Sequence, residues 1–295
     1  MKYSSISVIT PSFNQGRFIE RTIESVLSQG VPGIEYIVCD GGSTDGTVEI
    51  LNRYTGRLRW LSEKDNGQAD AVNKGIRLTG GHIIGWLNSD DIYYPGALKK
   101  VLDFFEAHPD VEISYGDADH IDEDDNVIEP YYNEPWNFER FKDVCYICQP
   151  AVFFRRTIVD TFGVLDTSLH YCMDYEYWLR VGAKLPFYYL KEKLAGSRMY
   201  KANKSLRDRV KVHGEINDMC RKRLGRVPSR WIFNYAHYVT DERTKYDRTK
   251  PEEMKRYLRW LIFYSATSFL RWNRRISRKE INTMRQWLNI NAIRY

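Results

Sequence analysis

At 295 residues, with 43% hydrophobic and 28% charged side chains, the chain has the make-up of an ordinary globular protein. That length suits one large domain with an appendage, or two modest domains. No stretch approaches the eighteen or so apolar residues of a spanning helix, and the start lacks the apolar core of a secretory signal, so a cytoplasmic location is expected. The net charge of +5 conceals an asymmetry. Residues 1–200 carry about 20 basic and 30 acidic side chains, whereas residues 201–295 carry about 24 and 9, so roughly −10 and +15 sum to the whole.

In chain order, residues 6–10 read as a strand stopped by Pro11. Residues 18–28 then space Phe18, Ile19, Ile23, Val26 and Leu27 as a helix does. Residues 35–39 form a second predicted strand, 47–54 a helix, 59–63 a third strand and 69–78 a third helix. An apolar fourth strand, 82–87, precedes a helix over 95–108. Strands follow over 112–119 and 151–155, and a helix over 175–183. From about Leu206 onward the pattern is helical and basic, with 237–253 read as a connection between helices. Alternating strands and helices predict an α/β fold with a mostly parallel sheet. The predicted division is a catalytic domain over 1–205 and a helical, basic extension over 206–295.

The five cysteines are odd in number and scattered. Cys145 and Cys148 have a Cys-x-x-Cys spacing, but no second pair completes the four soft ligands of structural zinc, so inert thiols are expected.

Ligands in an open α/β sheet bind beyond the carboxyl ends of its strands. Four polar, turn-forming motifs fall there in strand order: Thr10-Pro11-Ser12-Phe13-Asn14, Asp40-Gly41-Gly42-Ser43, Asp65-Asn66-Gly67-Gln68 and Asn88-Ser89-Asp90-Asp91. The last delivers two adjacent carboxylates from an apolar strand, a costly arrangement unless a cation neutralises them. A hard divalent ion shared with substrate phosphates would do so, while a helix-capping Asp91 is the plainer alternative. The first turn lacks the Gly-x-Gly-x-x-Gly pattern of a dinucleotide-dependent oxidoreductase.

Together these blocks, with Asp45-Gly46-Thr47 after the second motif, resemble the family 2 glycosyltransferases of the GT-A fold over roughly residues 5–205. The resemblance implies inverting transfer of a sugar from a nucleotide-diphosphate sugar, a UDP-sugar above others, to an acceptor hydroxyl. A glycan or lipid-linked acceptor in cell-surface polysaccharide or lipopolysaccharide synthesis follows from the same source. By that resemblance Thr10, Pro11, Ser12, Asn14, Asp40, Gly67, Gln68 and Asp90 would line the nucleotide-sugar site, with Asp40 reaching the base. Asp91 would ligate Mn2+ or Mg2+.

Met173-Asp174-Tyr175-Glu176-Tyr177-Trp178-Leu179-Arg180 resembles the family's Glu-Asp-x-(Asp/Glu)-x-Trp-x-Arg block, which makes Asp174 the general base. Three departures stand out: Asn88 for the first acid of the Asp-x-Asp region, Met173 for the acid before the base, and Tyr200 where the family often has a metal-binding histidine. Gln149, Trp178 and Arg180 are candidates for the acceptor side, although an aromatic on a helix is also an ordinary core residue. A non-catalytic sugar-nucleotide or polysaccharide-binding protein is the rival reading.

Beyond the resemblance, residues 257–275 mix aromatic and basic side chains in a segment too short to span a bilayer. Peripheral contact with an anionic membrane at its inner face is one expectation, and packing on the catalytic domain or a partner is the other. Nucleic acid is not an expected partner.

Overall fold

The computed structural model describes residues 5–289. They divide into two compact units, one of residues 5–141 with 145–201 and the other of 142–144 with 202–289.

The first unit carries a nine-stranded sheet. Its strands are β1 (Ile6–Ser12), β2 (Glu35–Asp40), β3 (Arg59–Ser62), β4 (Ile83–Trp86), β5 (Ile92–Tyr93), β6 (Ile113–Ile121), β7 (Val127–Pro130), β8 (Val152–Arg155) and β9 (Tyr188–Arg198). The order is β3-β2-β1-β4-β8-β6-β9-β5, with β7 on β6. Helices α1 (Ile19–Leu27), α2 (Thr47–Arg53), α3 (Gln68–Leu78) and α4 (Ala97–Ala107) accompany the first strands. The short α5 (Phe138–Asp143) and α6 (Thr157–Phe162) precede α7 (Met173–Gly182).

The α/β class is as expected, but the sheet is parallel only from β3 to β4 and between β6 and β9. Helical crossovers return each of the first four strands in one direction. Strand β8 then enters antiparallel to both β4 and β6, which makes the sheet mixed.

Strand β1 is buried along its whole length, as a central strand covered on both faces must be. It runs through Pro11 instead of stopping there. The β1–β4 ladder ends at Ile9–Trp86, whereas β1 continues against β2 to Ser12–Asp40. Ile9 bonds towards the β4 side and Ser12 towards β2, so alternation turns Pro11 towards the vacated β4 side, where no ladder partner needs its missing N–H. Helix α1 buries Ile19, Thr22, Ile23 and Val26, one face at helical spacing. Helix α3 lies so close to β1 that a Cβ on Gly75 would sit 2.3 Å from the Ile9 side chain. That contact seats the start of α3, and the loop before it, over the end of the sheet.

The second unit contains α8 (Lys204–Arg207), α9 (Arg209–Leu224), α10 (Ser229–Thr244), α11 (Pro251–Asn273) and α12 (Arg278–Asn289). The connection read over 237–253 is shorter than expected, because α10 continues to Thr244 and α11 opens at Pro251. Its first half looked polar only because α10 buries few residues there, Val239 and Thr240 among them.

His213 of α9 stacks on Tyr238 of α10 at 4.7 Å between ring centroids. Burial, with the charge of Arg209 nearby, lowers its pKa from 6.5 to about 4. The folded chain thus keeps His213 neutral through a range where the unfolded chain protonates it. Stability should therefore fall as pH drops from 6.5 towards 4, by at most about 3 kcal/mol from this group. Urea melts at pH 7 and pH 5 measure the effect; His213→Phe should flatten the difference, and an unchanged slope would exonerate the histidine.

Candidate active site

The loops that follow β1, β2, β3 and β4 gather at the carboxyl edge of the parallel strands. Thr10 is buried beneath this edge, its hydroxyl 3.2 Å from the Tyr36 hydroxyl, and Pro11 is buried beside it. Ser12 is 4% exposed and its Oγ has no hydrogen-bond partner in the protein. A buried hydroxyl left unpaired costs about 1–3 kcal/mol, which a polar ligand would recover. Phe13 stands 61% exposed beside it, an aromatic face that the sequence did not single out.

Asn14 adopts φ +52° and ties the first loop to the second. Its N–H donates to Ser43 Oγ at 2.7 Å, and its Oδ1 accepts from the Thr44 N–H at 2.9 Å. Asp40 holds the second loop together. Its Oδ2 accepts from the N–H groups of Gly42 (3.1 Å) and Ser43 (2.9 Å) and from Ser62 Oγ (2.6 Å), and its Oδ1 accepts from Ser43 Oγ at 2.5 Å. Asp40 therefore shapes the loop, chiefly through Oδ2, while its Oδ1, with one bond, keeps an acceptor site.

The carboxylate presented to that loop is Asp65. A Cβ on Gly41 would lie 2.8 Å from Asp65 Oδ2, so glycine is what lets this carboxylate in. Asp65 Oδ1 accepts the Gly67 N–H at 2.8 Å, and burial raises its pKa. It headed the third sequence motif, yet only its neighbours Gly67 and Gln68 were singled out. Gln68, at the start of α3, donates to Asn88 Oδ1 at 2.8 Å and so joins the third loop to the fourth.

That fourth loop holds the acidic pair. The Thr22 hydroxyl lies 2.9 Å from the Ser89 carbonyl and 2.8 Å from that of Asp91, which pins the turn to α1. Asp91 is 4% exposed. Its Oδ1 accepts the Arg198 N–H at 2.9 Å, and its Oδ2 accepts from Asn88 Nδ2 at 3.1 Å. Asp90 Oδ2 accepts from the Tyr200 hydroxyl at 3.0 Å. Burial raises the pKa of both carboxyls, and for Asp91 the charge of Asp90 adds to it.

Arg198, fully buried at the end of β9, was not foreseen as a site residue. Its guanidinium donates to the carbonyls of Asp90 (2.7 Å) and Asp122 (2.6 Å) and to the Asp125 carboxylate, and it lies 4.8 Å from the Phe18 ring. One side chain thus fixes the backbone of the pair and the β6–β7 turn together.

The pair, with Asp91 buried and Asp90 half-buried, fits a hard divalent cation. Taking a carboxylate out of water costs several kcal/mol, and Arg198, whose charge acts to lower the pKa of both, spends its guanidinium hydrogen bonds on carbonyls and Asp125. Among the described residues no cluster of three or more His, Cys, Asp or Glu could hold a metal. The protein would supply carboxylates only, leaving the other positions of a six-coordinate ion to phosphate oxygens and water. Tyr200 is committed to Asp90; burial and that charge raise its pKa, so its hydroxyl remains a donor.

The remaining candidates separate. Gln149 joins the site, donating to the Trp86 carbonyl at 2.6 Å and accepting from Asn88 Nδ2 at 2.9 Å. Asp174 lies in the first turn of α7. Its charge is felt by Tyr131, Cys145 and Cys148, and Cys148 also feels Asp91. The buried Cys148 thiol, raised by burial and then by Asp91, is thus within electrostatic reach of both Asp91 and Asp174. Ahead of α7, His170 comes within 3.8 Å of where a Cβ on Gly67 would be.

Trp178 is elsewhere. It is 1% exposed and packed edge-on to Phe154 and Phe187, so neither ring face is open to a sugar. Arg180 is likewise structural, bonded to both Glu176 oxygens and to the carbonyls of Phe162 and Val164. Helix α7 is buried nearly all round, with only Asp174 and Arg180 half-buried, so Trp178 falls in the core. Cys145 and Cys148 are free thiols.

Comparison with known proteins accords with this geometry. Residues 7–163 match the profile of glycosyl transferase family 2, and the chain belongs to that family. It is 31% identical over 185 residues to the chondroitin synthase of Escherichia coli, covering 62% of this chain and 27% of that protein. It is 27% identical over 258 residues to the hyaluronan synthase of Pasteurella multocida, covering 84% and 26%. The chain therefore spans about a quarter of the length of these synthases. Among solved structures, S. aureus TarS 1-349 in complex with UDP-GlcNAc superposes with a TM-score of 0.61 at 16% identity, over 97% of this chain and 91% of that one. A Pyrobaculum calidifontis mannosyltransferase in complex with GDP-Man and Mn2+ gives 0.53 at 16% identity, over 97% and 84%. The fold is that of the GT-A transferases.

Proposed function

We propose that the chain transfers one sugar from a uridine-diphosphate sugar to an acceptor hydroxyl on a glycan, free or lipid-linked, with inversion at the anomeric carbon. The observation that carries this reading is the Asp90–Asp91 pair at the mouth of β4, with Asp91 buried, among the donor-site loops, and a further carboxylate, Asp174, acting with Asp91 on the same thiol, Cys148. Polysaccharide synthesis is the setting of the relatives named above.

Phe13 offers its exposed face to the base, and Asp65 Oδ2 accepts a base N–H, a role that uracil can fill. Ser12 Oγ, unpaired within the protein, takes a polar atom of the nucleoside. Asp91, with Asp90 beside it, would hold Mn2+ or Mg2+, which when bound neutralises the charge growing on the leaving diphosphate. Asp174 accepts the proton of the attacking hydroxyl. A single displacement needs no carboxylate nucleophile, and inversion follows from it.

The test is a thermal-shift screen of UDP, GDP and their sugars with and without Mn2+ or Mg2+. A donor at about a hundred times its Kd adds about 2.7 kcal/mol to stability, or roughly 5–10 °C in Tm for a chain of this size. A metal-dependent shift with uridine nucleotides is expected, and Asp65→Asn should reduce it. A shift with guanosine nucleotides alone would overturn the base assignment. Folded protein that responds to no nucleotide would favour the non-catalytic binding reading.

A further inference from the structure

In the second unit, α11 has two unlike faces. One buries Tyr257, Leu261, Ser265, Phe269 and Trp272 among the other helices. The other leaves Trp260 (42%), Phe263 (52%) and Leu270 (56%) exposed, although they are large and apolar. They follow one another at +3 and +7, so they lie along a single stripe about 15 Å long. The Trp260 ring stacks on Tyr264 and meets Phe263 edge-on, each at 5.7 Å between centroids. The aromatics therefore form one continuous patch.

The stripe is flanked by basic side chains alone. Between Glu253 and Glu280 the chain has no Asp or Glu. Arg256 and Arg259 precede Trp260 on the same arc, and Arg271 and Arg274 close the other end, all exposed. Glu252, two turns before Trp260, feels the charges of Arg256 and Arg259 but is bonded to Lys255, and among the described residues no ion pair joins Arg256, Arg259 or Arg274 to a carboxylate. No helix of the described residues is long and apolar enough to cross a membrane.

We infer that this face of α11 docks the chain on an anionic lipid bilayer, lying in the headgroup plane with Trp260, Phe263 and Leu270 inserted. Rings and guanidiniums that are separately unfavourable in water, by exposure and by mutual repulsion, are both satisfied there. The acyl boundary takes the rings and the lipid phosphates take the arginines. A second copy docked by the same face would set arginines against arginines. A nucleic-acid backbone would answer the charge but leave Phe263 and Leu270 without a role. The inference concerns α11 alone and stands whether or not the donor assignment holds.

The test is co-sedimentation of the full chain with vesicles of phosphatidylcholine and phosphatidylglycerol in a two-to-one ratio, and with phosphatidylcholine alone. Wild type should pellet with the anionic vesicles, weakly with the neutral ones, and less as salt is raised. Phe263→Ser with Leu270→Ser should reduce partitioning at least about tenfold, and Arg256→Gln with Arg259→Gln should reduce the anionic preference about tenfold. Both variants alter exposed positions, so their melting temperatures and nucleotide responses should match wild type. No pelleting of wild type, or full pelleting of the serine variant, would overturn the inference. Self-association in sedimentation velocity that the serine variant abolishes, without vesicle binding, would instead assign the face to a second copy.

Discussion

Asp91→Asn is expected to reduce sugar transfer by about 10³-fold or more, equivalent to about 4 kcal/mol of transition-state stabilisation, while the chain stays folded. The argument rests on what each oxygen of Asp91 already does. Both accept a hydrogen bond, from the Arg198 N–H and from Asn88 Nδ2, so the carboxylate is held in one orientation before any ligand arrives. An amide of the same shape turns one donor against a donor, a local loss of about 1–3 kcal/mol. It also removes the buried charge of a carboxyl whose pKa is raised by burial first and then by the charge of Asp90. The two effects oppose each other, so the melting temperature should move little. What cannot be replaced is the charge that holds a divalent ion. The metal-dependent part of the nucleotide thermal shift should vanish with the activity. If transfer survives in Asp91→Asn but fails in Asp90→Asn, the two carboxylates have exchanged roles, and the Tyr200 bond to Asp90 becomes the feature to remove.

The half of the site that sequence made legible is the half built by local rules. Strands β1 to β4 and helices α1 to α4 each arise from a contiguous periodic run, and a polar, turn-forming motif falls at the end of each of the four strands. Their ends could be placed because in a βα unit the strand and its loop are neighbours in sequence. The other half is assembled at long range. Strand β9 went unread because its alternation, in Tyr-Tyr-Leu-Lys-Glu-Lys-Leu, is mixed with charges on an edge-facing stretch. With it went Arg198, whose bond to the Asp90 carbonyl spans 108 positions and leaves no periodic trace.

Asp40 and Asp65 make the same point in miniature. Both were visible as aspartates at strand ends. Which one mainly shapes its own loop and which one faces Gly41 depends on packing between two loops, and spacing does not encode that. Sequence leaves Trp178 open between a sugar-facing ring and an ordinary core residue, and α7 places it in the core against Phe154, Tyr177 and Phe187.

Asp174→Asn is expected to lower kcat by about 10²–10⁴-fold, with the nucleotide-induced thermal shift retained. An acceptor hydroxyl becomes a competent nucleophile only as its proton leaves, and a carboxylate can take that proton where an amide cannot. Asp174 also sits in the first turn of α7, where a negative charge complements the helix dipole by about 0.3–1 kcal/mol. A capping role alone would therefore cost a few degrees in Tm at most and leave kcat nearly unchanged. The two roles thus separate on two axes, activity and stability, in one variant. The groups that feel its charge include Cys145, Cys148 and Tyr131, all with pKa values raised by burial first and then by negative charge, so they stay protonated and none is placed to take over as base. Loss of transfer with donor binding intact would assign the proton to Asp174. Loss of both would mean that Asp174 helps to form the donor pocket, and the search for the base would move to the acceptor side of Gln149.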